Sequence, residues 1–224
     1  MYDIILMDLD NTILDFNAAE KDGFKKVIHE IGLSYNNDLL QQYQNINNSL
    51  WHSLEQGKIS KDIVLNTRFS EFFKLYDIQV DGKEIERMFR FHLDNSSALI
   101  PNAEDTLIKL KTMGKKIYSA SNGLYSTQIK RLSNAGIINL FDGHFISDII
   151  KHEKPSPYFF DFCIKNLSEV PKSSILMVGD SPTSDVQGAI NSGIDSCFYK
   201  YDKTSTCTYS KHTIHDLSEL LDIV

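Results

Sequence analysis

The sequence predicts an α/β fold in which a doubly wound parallel sheet carries an all-helical insertion. Three observations lead there. Short apolar runs, each closed by a polar or glycine-containing turn, recur along the chain. Helix-period segments separate most of them, and such alternation builds a parallel sheet covered on both faces. One long stretch after the first run shows helical patterning and no convincing strand.

The strand-like runs are Asp3–Met7, Lys116–Ala120, Gly143–Ser147, Ile175–Val178 and Ser196–Tyr199. Helical patterns cover Ala103–Met113, Ser126–Ala135, Pro157–Leu167 and Ser184–Ser192, with Gly114 and Gly136 where helix C-caps belong. Right-handed crossovers put the C-terminal ends of all strands on one edge, where open α/β sheets bind ligands. Between about Asp15 and Ser97 the amphipathic patterns are Ala18–Ile31, Asp38–Gln56, Lys61–Tyr76 and Lys83–Leu93, punctuated by Gly57 and Asp81-Gly82. An insertion directly after the first strand predicts a helical cap over the ligand edge. The expected division is a core of residues 1–14 and 98–224 and a cap of residues 15–97. The polar run Asp202–Ser210 reads as a loop leading into a last helix, Ile214–Leu221.

Of 224 residues, 42% are hydrophobic and 24% charged, ordinary for a soluble globular protein, and the formal net charge is -7. This balance argues against binding a nucleic-acid polymer through a broad basic face, though one positive pocket suffices for a nucleotide. Cys163, Cys197 and Cys207 form no CxxC pair. The first two sit among apolar residues as free thiols, which fits a reducing cytoplasm. No basic leader opens the chain, and no apolar stretch approaches a membrane span. A monomer and a homodimer are equally compatible with these features.

Chemistry concentrates at two strand ends. Asp8-Leu9-Asp10-Asn11-Thr12 follows Ile4-Ile5-Leu6-Met7, and Gly179-Asp180-Ser181-Pro182-Thr183-Ser184-Asp185 follows Ile175-Leu176-Met177-Val178. In extended backbone, residues two apart point to one side, so Asp8 and Asp10 can serve one site. Crowded carboxylates are unfavourable unless something positive joins them, which points to a shared hard cation. Mg2+ suits oxygen-only ligands: Asp180 would complete the shell and Asp185 would hold a metal-bound water or the loop. Ser121-Asn122-Gly123, at another strand end, offers a hydroxyl and exposed N–H groups. Lys154, in Lys154-Pro155-Ser156-Pro157, offers a positive charge ahead of a helix. Each has a plainer alternative, a turn or N-cap for Ser121 and a surface lysine for Lys154; their order and strand-end placement favour phosphate chemistry.

DxDxT, then a serine after a strand, a lysine before a helix and GDxxxxD, in that order, resembles the motifs of the haloacid dehalogenase (HAD) superfamily over essentially the whole chain. That resemblance implies a Rossmann-like core and a small phosphomonoester as substrate. It implies Asp8 as nucleophile, forming an aspartyl-phosphate, and Asp10 as general acid/base. Ser121 and Asn122, with Lys154, would hold the phosphoryl oxygens. Asp8, the backbone carbonyl of Asp10, and Asp180 would bind Mg2+, with Thr12 and Asp185 behind them. The aspartate at position 10 favours phosphatases over dehalogenases. Asp8–Phe16, Trp51–Ile59, Arg68-Phe69 and Gly179–Asp185 continuing to Gly193 are similar to the YjjG/YfnB-type subfamily, whose better-known members are pyrimidine 5'-nucleotidases.

Phe16 and Trp51 are the candidate base-stacking aromatics, against the plainer expectation that aromatics in helical patterns are core. Arg68 reads as a structural anchor, with Glu55 or Glu71 as partner. His212 and His215 lack companion ligands and read as surface residues. Other classes compatible with the residues are a sugar-phosphate phosphatase, a phosphotransferase or mutase, and a non-enzymatic phospho-acceptor domain. The last class lacks a long helical insertion and a late Gly-Asp strand end.

Overall fold

A computed structural model describes residues 1–167, 169–201 and 206–224. Its strands are β1 (Ile4–Met7), β2 (Lys116–Ser121), β3 (Gly143–Ile146), β4 (Ile175–Gly179), β5 (Asp195–Tyr199) and β6 (His212–Ile214). They form one six-stranded sheet in the order β3-β2-β1-β4-β5-β6, with every pairing parallel. The order doubles back on either side of β1, as in a doubly wound sheet. Met7 pairs with Ser119 on one side and Val178 on the other. One residue further on, Asp8, Ala120 and Gly179 therefore stand level at the same edge.

The chain separates into two compact units, Met1–Phe16 with Ser97–Val224, and Asn17–Ser96. The helices are α1 (Phe16–Glu30), α2 (Asn37–Glu55), α3 (Lys61–Lys74) and α4 (Gly82–Asp94), followed in the sheet unit by α5 (Ala103–Thr112), α6 (Tyr125–Asn134), α7 (Ser147–Ile150), α8 (Pro157–Lys165) and α9 (Gly188–Asn191). Alternate residues of β1 feed opposite cores, because strand side chains have a period of two. Ile5 and Met7 pack with Leu107 and Leu132 of α5 and α6; Ile4 and Leu6 pack with Phe159, Phe160 and Ala189 of α8 and α9. Full burial of each such side chain contributes about 1.5–3 kcal/mol.

Asn36, Ser60 and Asp81 cap α2, α3 and α4, each accepting a hydrogen bond from a first-turn N–H. The core of this helical unit is aromatic: Tyr43 stacks on Phe24 at 4.8 Å and on Phe69 at 4.9 Å between centroids. Arg68 is buried there. Its Nε and Nη2 donate to Glu86 Oε2 and Oε1 at 2.7 and 2.8 Å, and Nη1 donates to Asn47 at 3.0 Å. The anchoring role matches expectation and the partner does not. Arg68 turns inward with Val64 and Phe72, where α4 presents Glu86, whereas Glu71 on α3 is exposed.

Three places differ from their expected form. In place of a helix over Ile214–Leu221, the edge strand β6 ends at Ile214 and a 3-10 helix spans Leu217–Asp222, started by a capping box between Asp216 and Glu219. Three residues with a single buried position carry too little period-two signal to read as a strand. His212 lies in β6, with Nε2 3.1 Å from the Tyr2 hydroxyl. In place of one helix over Ser184–Ser192, a π-helical turn covers Pro182–Gln187 and α9 follows it. Ser147, expected in β3, opens α7 instead. Of the polar run Asp202–Ser210, residues 202–205 lie outside the described residues; 206–210 form neither helix nor strand. No helix among the described residues is long and apolar enough to cross a membrane.

Glu86→Leu would leave Arg68 in the aromatic core with Asn47 as its one hydrogen-bond partner among the described residues. We expect a loss of about 3–5 kcal/mol, as for other broken buried ion pairs, and a smaller loss in Arg68→Met/Glu86→Leu. Urea unfolding of the variants checks both.

Candidate active site

The turn after β1 is built from local hydrogen bonds. Asn11 has φ 61°, a left-handed conformation that asparagine tolerates better than most residues. Its N–H bonds the Leu14 carbonyl at 2.8 Å, while the N–H groups of Ile13 and Leu14 return to Leu9 at 2.9 and 2.8 Å. Asp8 stays in register, its N–H on the Val178 carbonyl at 2.9 Å, and its side chain is buried. Thr12 is fully buried beneath the turn, and its hydroxyl has no partner among the described residues.

Lys154 enters from the loop before α8 and is 1% exposed. Its Nζ donates to Asp8 Oδ1 at 2.7 Å, Asp185 Oδ1 at 2.6 Å and the Ala120 carbonyl at 2.6 Å. An ammonium has three hydrogens, so all are engaged. Asn122 fixes the Lys154 backbone from both sides: Nδ2 donates to the Lys154 carbonyl at 2.9 Å and Oδ1 accepts from its N–H at 2.8 Å. Asn122 thus acts on the lysine loop, a role its expected contact with phosphate did not suggest.

Asp185 reaches the cluster because the π-helical turn brings it against Gly179. A β-carbon on Gly179 would lie 2.1 Å from Asp185 Oδ2, so only glycine fits while the carboxylate stays there. The Ser181 N–H holds that same oxygen at 3.0 Å. Carboxylate oxygens of Asp8, Asp180 and Asp185 all lie within 4.8 Å of one another. Burial, with Asp185 and Asp10 nearby, pushes the Asp8 carboxyl up to about 7, against the opposing pull of Lys154. Burial, with Asp8 and Asp185, likewise raises Asp180 well above the carboxylate range. Burial alone would lower the Lys154 ammonium, yet Asp185 and Asp8 raise it above an ordinary lysine.

One ammonium against three carboxylates leaves two negative charges uncompensated when all are ionised. An all-oxygen donor set with that excess fits a hard divalent cation. Among the described residues no histidine or cysteine joins the set.

Asp10 points elsewhere. Its Oδ1 accepts from Arg131 Nη1 and its Oδ2 from Gln128 Nε2 at 2.6 Å, both residues on α6. Gln128 Nε2 also donates to the Ser121 hydroxyl at 2.8 Å, and the Gly123 N–H donates to that hydroxyl at 3.1 Å. Ser121 caps no helix: it closes β2, and its two acceptor positions are filled, which leaves its own hydrogen to donate outward. The Phe16 ring lies 5.9 Å from the Arg131 guanidinium carbon. Trp51 is half-buried on α2, in the helical unit.

The structure therefore gathers Asp8, Asp10, Ser121, Asn122, Lys154, Asp180 and Asp185 at the C-terminal edge of the sheet. Sequence reasoning missed Gln128 and Arg131. Their one signal was polar residues at positions four and seven of a helix whose neighbours Thr127 and Leu132 are buried, visible only once the inward face is known.

A family model of haloacid dehalogenase-like hydrolases matches residues 2–193. The chain belongs to that family, and is an enzyme of the hydrolase class. It is similar to the pyrimidine 5'-nucleotidase PynA of Streptococcus pneumoniae, 33% identical over 99% of this chain and 95% of that protein. The pyrimidine 5'-nucleotidase YjjG of Escherichia coli is 25% identical over 98% of each. A crystal structure of the HAD-hydrolase YfnB of Bacillus subtilis, bound to magnesium, superposes with a TM-score of 0.94 at 33% identity, covering 99% of this chain and 98% of that one.

Gly179→Ala would drive the Asp185 carboxylate off Lys154. It is expected to destabilise by about 1–3 kcal/mol, the scale of overpacking. In an Asp185→Ala background the same change should cost less without becoming neutral, because the carboxylate clash is gone while the β-carbon at position 185 still lies 2.8 Å from the added methyl. Denaturant unfolding of the four proteins checks the cycle.

Proposed function

We propose that this protein is a Mg2+-dependent phosphomonoester hydrolase that works through an aspartyl-phosphate on Asp8, with pyrimidine or non-canonical nucleoside 5'-monophosphates as substrates. One observation carries the mechanism: Asp8, the outward-donating Ser121 hydroxyl and Lys154 converge beside an oxygen-only acidic cluster. Phosphatase activity accords with the family and with similarity over almost the full length to named 5'-nucleotidases.

The chemistry follows from the residues present. An Asp8 oxygen attacks phosphorus, the ester P–O bond breaks, and Asp10 gives a proton to the departing alkoxide. Water then attacks the phosphorus and loses a proton to Asp10, the bond to Asp8 breaks, and inorganic phosphate leaves. Lys154, already paired with Asp8, exchanges one of its three acceptors for a phosphoryl oxygen. The Ser121 hydrogen meets another such oxygen, and Asn122 keeps the lysine loop in place. Asp8, Asp180 and the Asp10 carbonyl would hold Mg2+, with Asp185 and Thr12 supporting them. When bound, that ion supplies positive charge to offset the repulsion between carboxylate and phosphate dianion.

The nucleotide preference rests on PynA and YjjG. The sheet-unit residues address only phosphate and metal, so discrimination among esters falls to other segments, foremost the helical insertion, read here as a cap over residues 15–97. A cytoplasmic setting accords with Cys163, Cys197 and Cys207, all free thiols.

Asp8→Asn should keep the fold and lower kcat by roughly 10³-fold or more, since removing a covalent nucleophile has effects of that size or larger. A variant retaining about a tenth of wild-type kcat overturns the nucleophile assignment. Chelator should abolish turnover, and Mg2+ rather than Zn2+ should restore it. A panel of nucleoside monophosphates and sugar phosphates tests the substrate class; turnover confined to sugar phosphates overturns the nucleotide assignment.

A further inference from the structure

Two arginines are buried in this molecule, and they are used differently. Arg68 meets Glu86 with both arms of its fork, the geometry that makes arginine–carboxylate pairs strong and specific. Arg131, 1% exposed, meets Asp10 through Nη1 alone, and its Nε and Nη2 have no partner among the described residues. Leaving two buried donors unpaired is unfavourable by about 1–3 kcal/mol each. A buried guanidinium at rest in the core would be expected to use them. A single-nitrogen hold is instead a tether from which a carboxylate can depart.

Gln128, also 1% exposed, stands between Asp10 and Ser121. Carboxylate oxygens only accept, so the amide nitrogen must face Asp10, and its oxygen then faces Arg131 Nη1 at 3.4 Å. Both amide hydrogens are committed, one to Asp10 Oδ2 and one to the Ser121 oxygen. The second bond fills an acceptor position on Ser121 and so directs the serine hydrogen away from α6. Gly123 shapes the same contact. A β-carbon there would lie 2.7 Å from Gln128 Nε2, 2.9 Å from Cδ and 3.0 Å from Cγ. The amide, held by two hydrogen bonds, would have to move.

We propose that Gln128 and Arg131 are positioning residues of the active site: the Gln128 amide aligns the Ser121 hydroxyl and the Asp10 carboxylate together, and Arg131 holds Asp10 on a releasable single-nitrogen tether. The proposal rests on the hydrolase mechanism above, in which Ser121 donates to a phosphoryl oxygen and Asp10 protonates the leaving group. Both residues act through Asp10 and Ser121, the groups they hold. Coupling the two groups through one amide ensures that phosphoryl binding and leaving-group protonation are set up by the same helix, α6.

The test compares 4-nitrophenyl phosphate with phenyl phosphate, which differ in how much the departing oxygen needs a proton. In Gln128→Met, Ser121 misalignment should lower kcat/KM on both esters. Asp10 misalignment should add about a further tenfold on phenyl phosphate, within the range that small misplacements cause. Gly123→Ala disturbs the same amide from the other side and should show the same unequal loss. Arg131→Lys should retain more phenyl phosphate turnover than Arg131→Met, since it keeps a donor for Asp10. Circular dichroism and thermal melts confirm folding, and the pair of variants at positions 123 and 128 guards against one failing to fold. Equal losses on the two esters, or no loss, overturn the positioning role while the wild type remains active. No phosphate release by wild type from either ester with Mg2+ overturns the hydrolase mechanism itself, and this proposal with it.

Discussion

Three carboxylates and one ammonium share the end of the central strand pair, and their electrostatics organise everything around them. A buried carboxylate is tolerated only when hydrogen-bonded and balanced in charge. Lys154 answers part of that demand by dividing its three hydrogens among Asp8, Asp185 and the Ala120 carbonyl. The remainder shows as carboxyls of Asp8 and Asp180 pushed upward by burial and by neighbouring carboxylates, Asp185 among them. An oxygen-only set of this charge fits a hard cation, and it is a poor resting place for anything apolar.

The surrounding backbone accepts unusual local geometry in return. Asn11 takes a left-handed conformation, Gly179 leaves room for a carboxylate, and a π-helical turn carries Asp185 inward. Wider turns of this kind are frequent at functional sites. Each exception falls within a few residues of an acidic strand end, while β1 and β4 themselves are regular and fully buried. The two buried arginines mark the same division. The one in the helical unit has a partner on each of its three nitrogens, and the one beside Asp10 does not.

Asp8, Asp10, Ser121, Asp180 and Asp185 were legible because strand ends are legible: an apolar run that stops in aspartate or serine announces both the core and the edge; Lys154, in the loop before α8, was legible by its place in the chain order. Asn122 was legible as a position and not as a contact, since its hold on the Lys154 backbone joins segments 32 residues apart. Gln128 and Arg131 were invisible for a related reason. A glutamine and an arginine in a helix look like solvent-facing residues until the packing of α6 turns them toward the sheet.

Periodicity and strand-end chemistry, both local properties, were enough for the sequence alone to determine the α/β class, the helical insertion and most of the residues gathered at the sheet edge. Elements with little local signal were left to the tertiary structure: the three-residue strand β6, whose existence depends on pairing with β5, and the π-helical turn, whose width depends on where Asp185 must reach. Partner choice was decided there as well. Which carboxylate Arg68 meets, and that Asp10 turns toward α6, follow from which helix faces pack together, and burial then favours whatever polar partner that packing brings within reach.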